Sequence, residues 1–308
     1  MIALITSIIA AAIRIATPLT FAGIGEAINE KSGVINIGLD SIMLSGAFVS
    51  FYVCNKTDNI LLGVFAGLIS GIIISLFHGY LAIKGKANQT IIGLALNFFA
   101  LGLTSFLFLV GFGTSTELPT CRIVSNISIP LLNKIPILGE VVFSQNIFVY
   151  LLFLTIIMSY IIMYKTSWGI SLISVGENPK AADTAGIDVK KTRYLACIIN
   201  GLLGGLAGSY LTLAQLGFFM ENITNGKGYM ALVAVILGKR NPLGIFLAAL
   251  VIGVADATQI RLQTAGIPLP SEIFTMLPYF VAMIVLLFSI KNNKDPLALG
   301  TPYERNAR

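Results

Sequence analysis

The sequence predicts an all-α protein: a polytopic transmembrane helix bundle of about nine spans, one of them short or broken, forming a single domain over residues 1–308. Three observations predict it. Hydrophobic residues make up 56% of the chain and charged residues 11%, where soluble domains carry about 25% charge. Mean hydropathy is +0.87. Several runs of 18 or more residues are nearly free of charge, the length needed to cross a bilayer as a helix. Helix is required because a lipid-facing backbone must satisfy its own hydrogen bonds.

The apolar segments are Ile2–Gly23, Asn36–Cys54, Ile60–Ile83, Thr90–Phe112, Ile147–Tyr164, Tyr194–Leu213, Gly228–Gly238, Pro242–Ile260 and Ile273–Ile290. The opening "MIALITSIIAAAIRIATPLTF" lacks a basic start and a small-residue cleavage site, so it reads as a retained first span. Gly228–Gly238 would give only about 16 Å of helix, against about 30 Å of hydrocarbon. It therefore reads as the broken element. With the C-terminus cytoplasmic, 14 of the 20 Lys and Arg residues fall inside and 5 outside, with Arg14 within a span. Cytoplasmic loops carry the excess of basic residues, so the orientation reads N-out, C-in. Residues 113–146 form the largest external loop. Its "ISIPLLNKIPILGE", punctuated by Pro130 and Pro136, reads as a surface hairpin.

One stretch breaks the apolar pattern, "GISLISVGENPKAADTAGIDVKKTRYL" within residues 165–193, on the cytoplasmic side. Asn178 suits an N-cap and Pro179 the first helical turn. Ala181, Ala182 and Ala185 favour helix, and Gly186 suits its stop. The spacing predicts a short helix over Pro179–Ala185, then a second helix capped by Asp188. A helix that short is not stable alone in water. It is either a linker packed on its own protein or a peg that enters a partner.

"GENPKAADTAGIDVKKTRYLA" resembles the cytoplasmic coupling segment of permeases in bacterial ABC importers, in the branch for simple sugars and nucleosides, related to ribose and branched-chain amino-acid permeases. Three further stretches are similar to the same family in the same order: "ATPLTFAGIGEAINEKSGVINIGLDSIMLSGAF", "ANQTIIGLALNFFALGLTSFL" and "GKGYMALVAVILGKRNPLGIFLAALVIGVADA". The resemblance implies a permease subunit, leaning to nucleosides, that opens alternately to the two sides of the bacterial cytoplasmic (inner) membrane. It implies a second, related permease in a homo- or heterodimer, a cytoplasmic ABC ATPase that holds ATP and Mg, and an external substrate-binding lipoprotein. Coupling to the ATPase would fall on Glu177, Asn178, Pro179, Lys180, Ala181, Ala182, Asp183, Ala185 and Gly186.

Polar residues inside the spans are the other candidates. Arg14, near the middle of the first span, needs a partner or a headgroup, because a central Arg costs about 2.5–3.5 kcal/mol to insert. Asp40 is its first candidate, with Asp256 and Glu26 as others. Asn88, Gln89, Asn97, Phe98, Asn200 and Asp256 offer the amides, acid and aromatic face that would suit a nucleoside path. Side-chain amides also hold helices together in membranes, so each carries a packing reading as well. Gly67 and Gly71, and Gly201, Gly204, Gly205 and Gly208, have the spacing of close helix contacts. The interrupted segments Gly33–Gly46 and Gly226–Gly244 are candidates for matching parts of an inverted repeat.

Other function classes fare poorly. The chain has no GxxxxGK[ST] phosphate loop and, with one histidine, no HExxH zinc site. Its three cysteines show no metal or disulfide spacing. The net charge of +6 is spread over short loops, which argues against nucleic acid. We therefore expect no enzyme activity and no cofactor on this chain, with lipid as its surroundings. The alternatives are a permease for a simple sugar such as ribose or galactose and, from another class, an ion-coupled secondary transporter using Asp40 and Asp256.

Overall fold

A computed structural model describes residues 2–113, 118–128, 138–265, 270–289 and 295–305. The long helices are α1 (Ile2–Lys31), α2 (Leu39–Thr57), α3 (Ile60–Gly79, continued by a π turn Tyr80–Lys84) and α4 (Gln89–Phe112). A small antiparallel ribbon follows, β1 (Asn126–Ser128) against β2 (Ser144–Asn146), with α5 (Leu138–Val141) between the strands. Then come α6 (Ile147–Lys165), α7 (Ser167–Glu177), α8 (Pro179–Thr184) and α9 (Val189–Tyr210, continued by a π turn Leu211–Leu216). The chain closes with α10 (Lys227–Leu237), α11 (Pro242–Thr264), α12 (Ser271–Thr275) and α13 (Leu277–Ser289).

Helix starts follow the local chemistry. The side chains of Asn59, Asn88, Asn146, Thr166, Asn178, Asp188 and Asn241 each accept a hydrogen bond from a first-turn N–H. Such caps satisfy donors that the helix itself leaves unpaired. Among the described residues, six helices are long and apolar enough to cross a membrane. Each of the nine apolar segments read from the sequence contains a helix, the second starting only at Leu39 and the last divided between α12 and α13. Residue Ile290 of that segment lies outside the described residues. The first helix runs past Gly23 to Lys31 because Glu26, Asn29 and Glu30 are buried against protein rather than lipid. The 113–146 loop supplies the ribbon, while Pro130 and Pro136 fall outside the described residues.

Two interlocked triplets organise the bundle. Helices α2 and α3 pack around α9, and α10 and α11 pack around α1. The central helices α1 and α9 run antiparallel and cross where Gly25 meets Asn200; a Cβ at Gly25 would lie 3.1 Å from the Asn200 Cα. Each triplet thus takes its central helix from the other half of the chain. The glycine spacings read from the sequence serve this packing internally. Gly67, Gly71, Gly201 and Gly205 bring the α3 and α9 backbones together. Gly46 on α2 faces Gly205 so closely that a Cβ would sit 2.8 Å from the Gly205 Cα. Backbone cannot yield as a flexible side chain can, so Gly46→Ala should destabilise by about 1–3 kcal/mol. A thermal melt of the purified protein checks this; an unchanged midpoint would remove the packing argument.

Candidate functional site

One end of the bundle is basic. It gathers Lys31, the Lys84–Lys86 turn, Lys165, Arg193, Lys239 and Arg240, and a C-terminal tail, residues 295–305, lies across it. The Arg193 Nε donates to the Ser32 carbonyl at 3.1 Å and its Nη1 to that of Thr301 at 3.1 Å. The Gly300 N–H donates to the Gly33 carbonyl at 3.0 Å, and the Ala298 N–H to that of Gly176 at 2.9 Å. Arg240 donates to Glu30 at 2.5 Å and pairs with Asp295 at 2.8 Å. Lys86 pairs with Glu304.

Helix α8 stands on this platform. The Asn178 Oδ1 accepts from the Ala181 N–H at 3.1 Å, Pro179 takes the first position, and Gly186 ends the helix at φ +86°. The helix ends at Thr184, with Ala185 as its C-cap, one residue short of the sequence reading. Its inward face is Ala182, buried with Val175, Val189 and Tyr303. Asp183 reaches Arg305 at 3.2 Å. Glu177, Asn178, Lys180, Ala181, Ala185 and Gly186 are exposed, and Pro179 is half-buried. A short helix that could not persist alone is thus clamped from below by α7, α9 and the tail.

The second feature lies deeper. Two backbone segments, residues 32–38 and 217–226, are not helical, and each leads into a helix that begins inside the bundle. The Asp40 Oδ2 accepts from the Thr224 hydroxyl at 2.9 Å and Oδ1 from the Gly228 N–H at 2.8 Å, so the first turn of α2 is joined to the first turn of α10. This junction is near mid-depth. Ile42 packs on Gly204, about 16 Å along α9 from Arg193. Asn97 braces the same place: its Oδ1 accepts from the Ser41 N–H at 2.9 Å, and its Nδ2 donates to the Ile37 carbonyl at 3.2 Å and the Tyr229 hydroxyl at 2.8 Å.

Several site residues read from the sequence take other places. Arg14 does not pair with Asp40. It lines a cavity with Asn126, Asn146, Tyr210 and Gln215 toward the opposite end, while the Asp40 carboxylate is occupied by Thr224 and Gly228. Asn200 is fully buried and donates to Glu26 at 2.8 Å; Glu26 also accepts from the Asn36 N–H at 2.7 Å. Gln89 is buried and accepts from the Ile35 N–H at 2.8 Å. Asn88 caps α4. All three hold helices and turns together, Asn200 and Gln89 as buried side chains and Asn88 as an exposed cap. Phe98 projects outward, 75% exposed. Asp256 lines a cavity beside α10. Sequence reading missed the tail residues Tyr303 and Arg305, the Glu30–Arg240 pair, and the exposed polar run Glu221, Asn222, Asn225 and Tyr229. The signals available were an aromatic and charges in "TPYER", and polar residues flanking the shortest span. Among the described residues no group of three or more His, Cys, Asp or Glu side chains could hold a metal ion.

The chain is similar to known proteins over nearly its whole length. A guanosine ABC transporter permease of Bacillus subtilis is 35% identical, covering 99% of this chain and 98% of its own. A nucleoside ABC transporter permease of Lactococcus lactis is 33% identical over 93% of each. A glucose ABC transporter permease of Haloferax volcanii is 31% identical over 96% of each. A solved metal-chelate type ABC transporter in an inward-facing conformation shares the fold, with a TM-score of 0.52 at 15% identity, over 91% of this chain and 85% of that one. The family model for the branched-chain amino acid transport system permease component matches residues 8–289, and the chain belongs to that family.

Proposed function

We propose that this chain is the permease subunit of an ATP-driven nucleoside importer, set in the bacterial cytoplasmic membrane with its basic end inside. The similarity to the guanosine and nucleoside permeases supports the substrate class. The observation that carries the coupling role is α8: a capped helix with its outer face exposed and its inner face tied to three elements of the bundle. It meets a cytoplasmic ABC ATPase, which holds ATP and Mg. A second, related permease completes the path, and an external lipoprotein delivers the solute. Nine crossings with N-out and C-in place α8, the Lys84–Lys86 turn and the tail together on the cytoplasmic face, as the excess of basic residues favours.

A sugar such as ribose or galactose is the second reading, supported by the glucose permease relative. An ion-coupled transporter is disfavoured because Asp40, one of its two acids, is engaged by Thr224 and Gly228. Uptake of labelled guanosine and of glucose by cells producing the full transporter separates these. Guanosine uptake that stops when the ATPase is inactivated supports the proposal. Uptake that continues without ATP hydrolysis overturns the coupling, and glucose uptake alone overturns the substrate.

A further inference from the structure

The cavity beside α10 holds two ionisable residues on the flank of the bundle, at the depth of mid-α1. Its volume is about 150 Å³, and Asn225, Lys227, Asp256, Gln259 and Tyr279 line it together with Leu19 from mid-α1. Lys227 at the start of α10 and Asp256 on α11 both line it and form no contact ion pair among the described residues. A charge facing lipid at this depth costs about 2.5–3.5 kcal/mol, and non-helical backbone at membrane depth is tolerated only in protein or beside water. Residues 217–226 are such backbone, and Glu221, Asn222 and Asn225 on them are exposed. Both features set this side of the bundle against protein or water rather than lipid.

A second cleft, between α2, α3 and α4, makes the contrast. It is lined by Phe48, Ile69, Ile73, Leu103 and Leu107, with only small hydroxyls among them. One architecture thus provides an apolar cleft that suits lipid or a helix and a polar one that suits neither.

We infer that the Lys227–Asp256 cleft is a solute-binding station on the translocation path, taking the ribose end of a neutral nucleoside, whose aromatic base stays at the mouth of the cleft beside the exposed Tyr279. The inference rests on the nucleoside reading above. Asp256 accepts from ribose hydroxyls, Lys227 donates to a hydroxyl or carbonyl oxygen, the Asn225 and Gln259 amides do either, and Tyr279 offers a face to the base. One positive and one negative group leave the site with no net charge, so a nucleoside enters without a counter-ion.

Two measurements on the assembled transporter in proteoliposomes test this. First, Asn225→Cys should react with a small charged thiol reagent, and saturating guanosine should slow that reaction at least about tenfold. The native thiols give little background: burial, then neighbouring Cys54, pushes Cys121 up to about 12, and Cys54 and Cys197 are buried. Second, Asp256→Asn and Lys227→Met, each recovered in the assembled transporter at wild-type yield, should lower kcat/KM for uptake about tenfold or more, the usual weight of a hydrogen bond to a charged group. Ser70→Ala in the apolar cleft should leave uptake unchanged. Wild-type guanosine uptake with Asn225→Cys unreactive, or reactive but unprotected, overturns the station and leaves the nucleoside reading intact. So does full uptake by both charge variants. Absence of guanosine uptake by the wild type overturns the nucleoside reading itself.

Discussion

Replacing residues 178–186 with a Gly/Ser linker of equal length uncouples transport: uptake falls about a hundredfold, to the level without ATP, while the bundle stays folded. The magnitude follows from coupling free energies of about 1–3 kcal/mol between linked sites, or about 5–150-fold, with the whole contact removed at once. The reason is mechanical. α8 transmits displacement because it is rigid, and it is rigid because Asn178 caps it, Ala182 is seated on Val175, Val189 and Tyr303, and Asp183 is tied to Arg305. A linker has none of these. Its excised helix buries little, so the variant should match the wild type in yield and melting temperature. Uptake, ATPase co-purification and solute-stimulated hydrolysis measured together decide the matter. Normal stimulated uptake would sink the assignment. Asn178→Ala is the mild version, losing about 1 kcal/mol of cap and part of the stimulation.

Arg240→Ala should be the most destabilising change at the basic end, by about 3–5 kcal/mol. The side chains of Arg240 and Glu30 are 5% and 3% exposed, and removing the guanidinium leaves a buried carboxylate without its counter-charge. Asp295, 63% exposed, contributes less, because water screens it. The double variant Glu30→Leu/Arg240→Met should recover most of the loss, since apolar residues of similar volume replace a buried pair at little cost. Thermal melts of the three proteins in detergent test this. A single variant as stable as the wild type would show that the pair does not lock α1 to the end of α10.

Local chemistry was readable in the sequence, and long-range pairing was not. Asn178, Pro179, Gly186 and Asp188 announce their turns because caps and stops are satisfied within four residues. The apolar runs announce the spans by length alone. The depth at which α2 and α10 begin was hidden. It depends on Asp40 meeting Thr224 and Gly228, 184 and 188 residues away, and nothing local specifies such a partner. Arg14 misled for the same reason: an isolated charge states its need and not its neighbour. Asn200 and Gln89 looked fit for a path because an amide that binds solute and one that holds a turn are the same residue. The tail was passed over because its role comes from what lies beneath it, Gly33, Gly176 and Arg193.

The exchange of central helices sets an order on biogenesis. When α2 and α3 leave the ribosome, the helix that fills the groove between them is still unmade, more than a hundred residues behind. Until α9 arrives, Gly46, Gly67 and Gly71 present bare backbone to lipid. α1 likewise waits for α10 and α11 with Glu26 and Glu30 uncovered. Nascent intermediates of this chain therefore need shelter from an insertase or chaperone, and a polypeptide stopped before Val189 should be degraded rather than accumulate as a stable half.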